Sequence, residues 1–430
     1  MAITGRAVLL VLLGVVAAAL APGRGAVLAW ALVVVALMVL DAALAGSPRA
    51  LAVERVPQGP VRLGVEVGAQ LVVTSTGRRR LRGVLRDAWP PSAGAAADRH
   101  ALDLPPGERR RLVTVLRPTR RGDRAVASVT VRSVGPLGLA ARQATLPAAG
   151  SVRVLPAFRS RRHLPGRLER LRALDGSASV QVRGQGTEFD ALRTYVPGDD
   201  VRSIDWRATA RSADVVVRTW RPERDRRVLV VLDTSRTSAA RIGDEPRLDA
   251  AMDAALLLAA LASAAGDRVD LLAADRRVRA SVAGVRPPQL MPALVQAMAP
   301  LEPELVEADW PAVVAQVRRR MPHRGLLVLL TPLEGAAVEE SLLPVLDALV
   351  ASHTVLVGSV ADPALAAMAA ERGSGDAVRS AAAAERVRLE RAALTALMTR
   401  AGAEVVDADP EHLPPRLADA YLALKAAGRL

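Results

Sequence analysis

A carboxylate and two hydroxyls follow an apolar stretch of the sequence at a spacing that could hold a metal ion. The run RVLVVLD (227–233) ends in Asp233, and Ser235 and Thr237 come two and four residues later. On a loop that leaves a strand, side chains two residues apart can face the same point. Hard oxygen ligands of this kind suit Mg²⁺ or Mn²⁺, with water filling the remaining positions of an octahedron. The spacing therefore predicts a divalent-metal site at Asp233, Ser235 and Thr237.

The pattern D-x-S-x-T also resembles the first part of the metal-ion-dependent adhesion site of the von Willebrand factor A family. In that family D-x-S-x-S is followed by a distant Thr and a distant Asp, and the resemblance implies an Asp directly behind Thr331. This sequence has Pro332 at that position and contains no Thr between residues 268 and 330. We therefore expect weak metal binding, unless Glu334 or Glu307 joins the site.

A structural interpretation of the same residues stays open beside the metal site. Asp233 and Ser235 are residue types that cap a turn and hydrogen-bond to its backbone. The sequence alone leaves a weak Mg²⁺ or Mn²⁺ site and a backbone cap as alternatives.

Alternating strand and helix patterns surround this loop and predict its position in the fold. RVLVVLD and GLLVLLT (325–331) are continuous apolar runs, which is typical of buried parallel strands. Helical stretches such as RLDAAMDAALLLAALASAA lie between and after them, and RVRASVA is the expected hairpin partner of RVDLLAAD. This alternation predicts a doubly wound, Rossmann-like α/β sheet, in which ligands bind at the carboxyl ends of the strands. Asp233 is thereby expected at a surface crevice.

Residues 50–150 follow a different pattern. VRLGVEVGAQLVVTS, RRLVTVLRP and RAVASVTVRS alternate apolar and polar residues with a period of two, and turns such as LPPGE and RRGD divide them. This pattern predicts a small antiparallel β-sandwich of immunoglobulin-like size. The arginine runs GRRRLR and GERRR are interpreted as solvated strand edges and turns, with a binding patch as the alternative.

Two nearly uncharged apolar runs, residues 7–20 and 26–40, lie close together near the start of the sequence. The second reaches about 20 residues with Asp41 included, enough to span roughly 30 Å of hydrocarbon, and the first is marginal in length. A cleaved signal peptide is the alternative, because Arg6 precedes an apolar run. The second run directly after the first favours a two-helix membrane hairpin. The arginine-rich flank after residue 48 then places the soluble domains in the cytoplasm, at the cell membrane.

Composition narrows the classes of partner and chemistry. The formal net charge is +14, but the excess is almost entirely arginine, since Lys425 is the single lysine. Aromatic residues make up only 2% of the chain, so base-stacking platforms are poorly supplied and nucleic acid is not expected as a partner. Anionic lipid headgroups next to a membrane anchor are a better match. The sequence contains no cysteine and five scattered histidines, which excludes disulfides and thiolate catalysis and disfavours His-ligated metal.

Motifs for enzymatic chemistry are poorly represented in this sequence. It contains no G-x-S-x-G elbow, and GQGTEF does not follow a strand into a helix, as a dinucleotide or phosphate loop would. The acidic stretch GDDVRSIDW lacks a nucleophile with a matched base. We therefore expect no enzymatic activity.

A dense charged segment precedes and includes the Asp233 loop: GQGTEFDALRTYVPGDDVRSIDWRATARSADVVVRTWRPERDRRVLVVLDTS. In the elements G-x-G-x-E-F-D, R-x-Y-x-P-G-D-D-x-R-x-I-D-W, A-T-A-R and E-R-D it resembles the bacterial "domain of unknown function 58" family. The resemblance implies a von Willebrand A-like domain, usually encoded beside MoxR-type AAA+ ATPases, with no established enzymatic activity. The signature residues are Glu188, Phe189, Asp190, Arg193, Tyr195, Pro197, Gly198, Asp199, Asp200, Arg202, Asp205, Trp206, Arg211, Glu223, Arg224 and Asp225.

The charges of the signature predict a segment ahead of the sheet that is braced by its own hydrogen bonds. Pro197 and Gly198 turn the chain, and we expect the aspartates behind them to accept forked hydrogen bonds from arginines of the same segment. The expected acceptors are Asp199, Asp200 and Asp205, and the expected donors are Arg202, Arg207 and Arg211. Trp206 would supply an apolar body buried among them. A structural clasp and a partner-docking surface remain alternatives for this segment.

These patterns predict four parts of the chain. We expect a transmembrane helical hairpin at 1–47, a β-sandwich at 48–154, a linker with a short helix at 155–192, and a von Willebrand A-like domain at 193–430. The expected function is a membrane-anchored interaction module, an adaptor or assembly factor that docks a MoxR-type AAA+ ATPase at the crevice around Asp233. The alternative is a basic membrane-surface protein that binds anionic lipid or envelope polymer through its arginine-rich β domain.

Overall fold

The chain folds into two compact units, Met1–Leu155 and Pro156–Leu430. A computed structural model describes residues 2–20, 23–181, 188–221 and 226–430. The division between the units lies next to the boundary predicted at 154/155. The boundaries predicted at 47/48 and 192/193 fall inside the units and stay predictions. At the coarse level the fold is mixed α/β, as expected.

The first unit places helices before strands. Its elements are β1 Ala2–Ile3, α1 Gly5–Leu20, α2 Arg24–Leu44, β2 Leu51–Arg55, β3 Val61–Arg62, β4 Val67–Ser75, β5 Leu81–Asp87, β6 Arg99–Leu104, β7 Arg109–Leu116, β8 Gly122–Val134 and β9 Ala140–Leu155. Strands β1, β9, β8, β5 and β6 form one sheet in that order, with β3 beside β9, and β2, β4 and β7 form a second sheet. The three strands predicted from period-two alternation are confirmed as β4, β7 and β8.

The two sheets share one hydrophobic core. Leu71 and Leu112 contribute to it from the smaller sheet, and Leu85 and Val129 contribute from the larger one. Neighbouring strands are antiparallel except for β3 and β9. The alternation of buried and exposed residues along β7 and β8 follows from this packing, because only one face of each strand meets the core.

Helices α1 and α2 are apolar and contact each other. The indole Nε1 of Trp30 donates a hydrogen bond to the carbonyl of Leu10 at 3.3 Å, and a Cβ on Gly14 would lie 2.3 Å from Trp30 Cδ1. Among the described residues, one helical stretch, Arg24–Ala50, is both long and apolar enough to cross a membrane, whereas Gly5–Val16 is apolar but shorter. Close packing at Gly14 therefore joins the longer apolar helix to the shorter one.

Both helices are tied to the larger sheet of the same unit. Strand β1, just before α1, pairs with β9, and the Thr4 hydroxyl donates to the Gly138 carbonyl at 2.5 Å. Near the end of α2, the fully buried carboxylate of Asp41 accepts hydrogen bonds from the backbone N–H groups of Leu137, Leu139 and Ala140, at 2.7, 2.7 and 2.9 Å. The beginning of α1 and the end of α2 are thus fixed to the turn between β8 and β9.

The second unit alternates strands with helices. Its elements are α3 Leu164–Gln181, β10 Glu188–Thr194, α4 Trp206–Thr209, β11 Val216–Arg221, β12 Arg227–Asp233, β13 Arg241–Ile242, β14 Glu245–Pro246, α5 Arg247–Ala264, β15 Arg268–Ala274, β16 Val278–Val282, α6 Pro287–Met298, α7 Trp310–Arg320, β17 Leu326–Leu330, α8 Gly335–Ala337, α9 Leu343–Val350, β18 Thr354–Val360, α10 Pro363–Ala370, α11 Gly375–Arg400, β19 Glu404–Ala408 and α12 Leu413–Ala426. The long strands and helices agree with the sequence patterns, and α10 is an element that the patterns do not predict.

A six-stranded sheet forms the centre of this unit, in the order β16-β15-β12-β17-β18-β19. All neighbours are parallel except β16, which is antiparallel to β15 as predicted for its hairpin partner. Helix α5 contacts α6, α12 and the sheet. Helices α7, α9 and α11 contribute to a second core with Leu229 and Leu327. Because helices cover both faces, β12, β17 and β18 are apolar along nearly their whole length.

The register of the parallel strands places several polar residues at one edge of the sheet. Asp233 pairs with Ala274 at the end of β15, and β17 ends one residue before Thr331. Parallel strands have their carboxyl ends at the same edge, so Asp275 and Thr331 lie next to the loop that follows β12. This edge carries the first candidate site.

The signature segment forms a separate two-stranded sheet of β10 and β11, outside the six-stranded sheet. The chain between these strands contains a short 3₁₀ turn, Val201–Ser203, and the one-turn helix α4. Strand β11 pairs with β10 and not with a strand of the central sheet. The second candidate site lies on this antiparallel pair and the turn that joins it.

Candidate functional site

Asp233 is the centre of a buried cluster of oxygen atoms. Its Oδ1 accepts a hydrogen bond from the backbone N–H of Ser235 at 2.8 Å. Its Oδ2 accepts from the hydroxyls of Thr331 at 2.7 Å and of Thr237 at 3.2 Å. The hydroxyl oxygens of Ser235 and Thr237 are 3.1 Å apart. The structure thus brings the three predicted residues together and adds Thr331 from the neighbouring strand end.

The cluster is closed off from solvent. The exposed fractions of Asp233, Ser235 and Thr237 are 3%, 1% and 3%. The expectation of a surface crevice at Asp233 is therefore wrong, because the start of α7 at Trp310 and the segment around Val338 wall the cavity. Burial raises the pKa of Asp233, and the hydrogen bonds from its neighbours act in the opposite direction.

The oxygen atoms of the cluster do not fit an octahedral cation in this arrangement. Mg²⁺ takes six oxygens at about 2.0–2.1 Å, whereas the cluster supplies one carboxylate and three hydroxyls that already hydrogen-bond to it or to each other. The cavity has a volume of about 10 Å³, which holds roughly one water molecule. Completing an octahedron would require more water than this space admits. The geometry favours the backbone-cap interpretation.

The two glutamates considered as replacement ligands have other partners. Glu334 accepts a hydrogen bond from the guanidinium of Arg247 at 2.6 Å, and Glu307 pairs with Arg236. Pro332 stands behind Thr331, so the position that the family resemblance assigns to an Asp has no carboxylate here. Asp233 is consequently the only carboxylate among the residues that form the hydrogen-bonded cluster described above.

Sequence reasoning missed two residues at this edge. Thr331 lies just outside the interval 268–330, which contains no Thr, although it ends the predicted strand GLLVLLT. Asp275 follows β15 in the same way, is 2% exposed, and accepts a hydrogen bond from the Thr234 hydroxyl at 3.0 Å. The signal that could have found both is the rule that already placed Asp233, namely that parallel strands end at one edge.

In the signature segment, the first aspartates are paired locally. Arg193 on β10 donates two hydrogen bonds to Asp199, at 2.6 and 2.7 Å, and the backbone N–H of Val196 donates a third at 2.9 Å. The hydrogen bond to Asp199 raises the pKa of Arg193. Asp200 accepts from the backbone N–H of Arg202 at 2.9 Å. These contacts fasten the turn after β10 to the strand itself.

Asp205 fastens the other end of the turn to β11. It caps α4 by accepting hydrogen bonds from the backbone N–H groups of Arg207 and Ala208, both at 3.0 Å, and it accepts from Arg218 Nε at 2.8 Å. The Ala208 N–H, followed by the Arg218 guanidinium, lowers the pKa of Asp205. The clasp interpretation of the segment is supported by these bonds.

The arginines that form the clasp are not the predicted ones. The side chains of Arg202, Arg207 and Arg211 have no hydrogen-bond or ion-pair partner within the described ranges, and all three are exposed. Arg193 and Arg218 occupy the carboxylates instead, because they lie on the two strands that flank the turn. The predicted pairing of the aspartates with the turn arginines is therefore wrong.

An exposed aromatic side chain accompanies these free guanidinium groups. Trp206 is 69% exposed and Val201 is 63% exposed. The prediction that Trp206 is buried among the charged residues is wrong, because α4 is one turn long and no other element of the described ranges covers its first residue. We name Val201, Arg202, Trp206, Arg207 and Arg211 the signature surface.

The remaining signature residues lie in the strands and the tight turn. The predicted turn is confirmed: the Asp199 N–H donates to the Val196 carbonyl at 3.0 Å, and Gly198 has φ 109°, which glycine adopts without strain. Pro197 is exposed beside it, and the Tyr195 N–H donates to the Val215 carbonyl at 2.7 Å. The turn thus continues the backbone pairing of β10 and β11.

The two ends of the signature are described to different degrees. Glu188, Phe189 and Asp190 belong to β10, in which Glu188 is opposite Arg221 of β11. Glu223, Arg224 and Asp225 lie outside the described residues.

Comparison with known protein families and curated proteins agrees with the signature. Residues 191–399 match the family model described as "Protein of unknown function DUF58", which confirms the resemblance inferred from the motifs. The uncharacterized proteins Mb1516 of Mycobacterium bovis and Rv1480 of Mycobacterium tuberculosis are each 29% identical to this chain over 192 residues, which is 44% of this chain and 60% of theirs. The chain spans 60% of the length of these curated relatives, and their names state no activity.

Comparison with solved structures gives distant likenesses. A mutant of the PilB minor pilin from Streptococcus sanguinis is similar over 81% of this chain and 88% of its own, with 9% identity and a TM-score of 0.34. The PapD-like domain of human CEP192 is similar over 25% of this chain and 87% of its own, with 11% identity and a TM-score of 0.18.

Proposed function

We propose, from the premise that residues 191–399 form a domain of the DUF58 family, that this chain is a membrane-anchored, non-enzymatic protein-interaction module. We interpret its α/β unit as a doubly wound, von Willebrand A-like domain that docks a protein partner through the signature surface. The family resemblance favours a MoxR-type AAA+ ATPase as that partner, with this chain acting as an adaptor or assembly factor.

The observation that carries this proposal is the exposed Trp206 among cations without partners. A tryptophan that is 69% exposed leaves a large apolar area in water. Tryptophan and arginine are the residues most enriched among those that dominate binding energy at protein interfaces. Arg202, Arg207 and Arg211 add positive charge that attracts an acidic surface and increases its rate of encounter. An acidic protein surface with an apolar pocket is the complement of this set.

The clasp gives the signature surface a fixed geometry before a partner arrives. Arg193 with Asp199 and Arg218 with Asp205 hold the turn to both strands. Ordering a loop on binding costs free energy, so a surface that is already ordered binds more tightly with the same contacts. The buried Asp233 cluster, in this proposal, supports the sheet edge and does not touch the partner.

The membrane anchor is proposed from α1 and α2. Apart from Arg6 and Arg24, the large exposed side chains of both helices are apolar, including Leu12 at 56% and Leu32 at 70%. The start of α1 and the end of α2 are fixed to the same turn of the first unit. Because the first helix starts and the second helix ends at the same turn, we expect the two helices to cross the bilayer as a hairpin. Such a hairpin puts both soluble parts of the chain on one side. The arginines after residue 48 favour the cytoplasmic side.

Recovery of the partner from membranes tests the docking proposal. The full chain and a MoxR-type AAA+ ATPase of the same bacterium would be co-expressed, crosslinked in intact cells and recovered through a tag on the chain. Trp206→Ala is expected to reduce the recovered ATPase about 30-fold, which corresponds to roughly 2 kcal/mol of lost binding free energy. The combined change Arg202→Ala, Arg207→Ala and Arg211→Ala is expected to reduce recovery most at low salt.

Matched controls separate the signature surface from general surface effects. Leu305→Ala removes an apolar side chain that is 83% exposed elsewhere in the same unit. Arg318→Ala, Arg319→Ala and Arg400→Ala together remove the same charge from exposed positions on α7 and α11. Both control variants are expected to recover the ATPase as the parent chain does. Equal recovery by the Trp206→Ala variant would overturn the docking proposal.

A further inference from the structure

A cavity of about 270 Å³ opens in the first unit beside the end of α2. Ser47, in the turn after α2, lines it together with Gly77, Arg78 and Arg79 of the turn between β4 and β5. Arg142 of β9 also lines the cavity. All of these residues belong to one compact unit, so the cavity is part of that unit.

The cavity carries positive charge that the unit does not neutralise. Arg78 and Arg142 are exposed, and their guanidinium groups have no hydrogen-bond or ion-pair partner in the part of the chain that the structure describes. The neighbouring carboxylate of Asp103 is already bound by Arg80, at 2.5 and 2.7 Å. Arg79 donates a hydrogen bond to the Ala43 carbonyl in the last turn of α2, which fixes it at the cavity edge. Two guanidinium groups that have no partner among the described residues thus line the same recess.

The position of the cavity along α2 suggests the source of its ligand. Leu40 and Leu44, in the last turns of α2, are 51% and 44% exposed, so the apolar surface of the helix continues almost to the cavity. In a bilayer the headgroups begin where such an apolar surface ends. A recess at that level, lined by arginine, faces lipid phosphates. The cytoplasmic leaflet is also the one that is rich in anionic lipid.

We infer that this cavity binds the phosphate of an anionic phospholipid headgroup, held by Arg78 and Arg142. Guanidinium groups bind phosphate through paired, charge-assisted hydrogen bonds, which suits a recess lined by two arginines. The volume is just below that of sites for drug-sized ligands, and it suits a headgroup better than a whole lipid. This inference rests on the proposed membrane anchor and is independent of the proposed ATPase partner. A soluble phosphate compound shares the chemistry, and the test below distinguishes the two sources.

The test measures which lipid stays with the intact chain. Full-length protein is purified in mild detergent with equal amounts of phosphatidylglycerol and phosphatidylcholine, and the bound lipid is identified by native mass spectrometry. The parent chain is expected to retain phosphatidylglycerol preferentially. Arg78→Ala with Arg142→Ala is expected to reduce that retention about 10-fold, the loss of roughly 1.4 kcal/mol that one charged hydrogen-bond pair provides.

A charge-matched variant shows whether the effect belongs to the cavity. Arg111→Ala with Arg120→Ala removes two exposed arginines of the same unit that do not line the cavity, and it is expected to retain phosphatidylglycerol as the parent does. Equal loss in both double variants, or no loss in the first, would overturn the inference. Displacement of the lipid by inorganic phosphate at millimolar concentration, together with no preference for phosphatidylglycerol, would assign the cavity to a soluble phosphate compound and would also overturn it.

Loss of lipid binding at the cavity can be distinguished from loss of membrane anchoring or of ATPase docking. Membrane fractionation of the Arg78→Ala, Arg142→Ala variant is expected to leave the chain in the membrane, and ATPase recovery is expected to be unchanged. A parent chain found outside the membrane fraction would instead contradict the anchor on which the cavity inference rests.

Discussion

The Asp233 cluster and the signature segment use the same kinds of residue for opposite purposes. In both, aspartates accept hydrogen bonds from nearby backbone and side-chain donors. Around Asp233 every member is at most 4% exposed, including Thr331. In the signature segment the aspartates are paired while Trp206 and three arginines remain in solvent.

This difference in exposure separates the residues that stabilise the unit from those that are available to a partner. A buried hydrogen-bonded cluster costs stability when it is broken, because its members cannot turn to water. An exposed residue costs little stability when it is removed, and its effect is seen only when a partner is present. Mutations in the buried cluster should therefore be detected by stability assays and mutations in the signature surface by binding assays, and four experiments test that contrast.

Removing the Asp233 carboxylate is expected to have the largest effect. Asp233→Ala should lower the free energy of unfolding by about 3 kcal/mol, because the Ser235 N–H and the Thr237 and Thr331 hydroxyls lose their acceptor in a buried site. Denaturant unfolding of the full chain in detergent, followed by tryptophan fluorescence, measures this loss. Trp206→Ala is the exposed counterpart and should change stability by less than about 0.5 kcal/mol. Equal losses in the two variants would remove the contrast.

The pH dependence of Asp233→Asn relative to the parent is expected to be the next largest effect. Burial raises the pKa of Asp233, so the unfolded chain loses this proton near its ordinary pKa of about 3.9 while the folded chain retains it. The parent should therefore lose stability relative to the variant as pH rises above about 4, by at most roughly 1.4 kcal/mol per pH unit, until the folded carboxyl also ionises. Unfolding curves of both proteins across this range provide the measurement. A gain in relative stability with rising pH would mean that the hydrogen bonds outweigh burial.

Breaking the clasp is expected to have a smaller and local effect. Arg193→Ala frees Asp199 and should loosen the turn without unfolding the unit, because the pair is partly exposed and screened by solvent. Hydrogen exchange at the Val196 and Asp199 amides should accelerate severalfold, while amides of the central sheet stay protected. Asp199→Ala alone and the double variant complete a cycle. Strictly additive effects in that cycle would show that the pair is not coupled.

Divalent cations are expected to have the smallest effect. A ligand that binds only the folded state raises its stability in proportion to RT ln(1 + [L]/Kd). Because the Asp233 cluster has room for roughly one water beside four hydrogen-bonded side chains, millimolar Mg²⁺ or Mn²⁺ should leave the unfolding temperature unchanged. An increase that disappears in the Asp233→Asn variant would restore the metal-site interpretation.

The sequence predicts the elements of the second unit well where the residues follow a single rule. RVLVVLD and GLLVLLT are strands because a strand covered on both faces is apolar throughout, and β12 and β17 confirm this. The approach of Ser235 and Thr237 to Asp233 follows from the loop that leaves such a strand. The helix α10 was not predicted, because PALAAMAA carries no polar face that would mark one side.

The solvent exposure of the candidate site residues could not be predicted in the same way. Asp233 is buried because α7 and the segment after β17 cover the sheet edge, and no local pattern specifies what packs over a loop. Trp206 was expected inside because tryptophan is usually well buried, yet α4 begins at that residue and none of the described elements covers it. The predicted arginine partners of the aspartates were wrong for a related reason, since strands β10 and β11 bring Arg193 and Arg218 to the turn from more distant positions.

The bond between Asp41 and the turn at 137–140 has a mechanical consequence. Helix α2 is joined directly to the strands of the first unit, because three backbone amides of this turn donate hydrogen bonds to its last charged side chain. In a bilayer this connection would be rigid. The strands of the unit would keep a constant height and tilt relative to the lipid, and a torque applied to them would be transmitted to the helix.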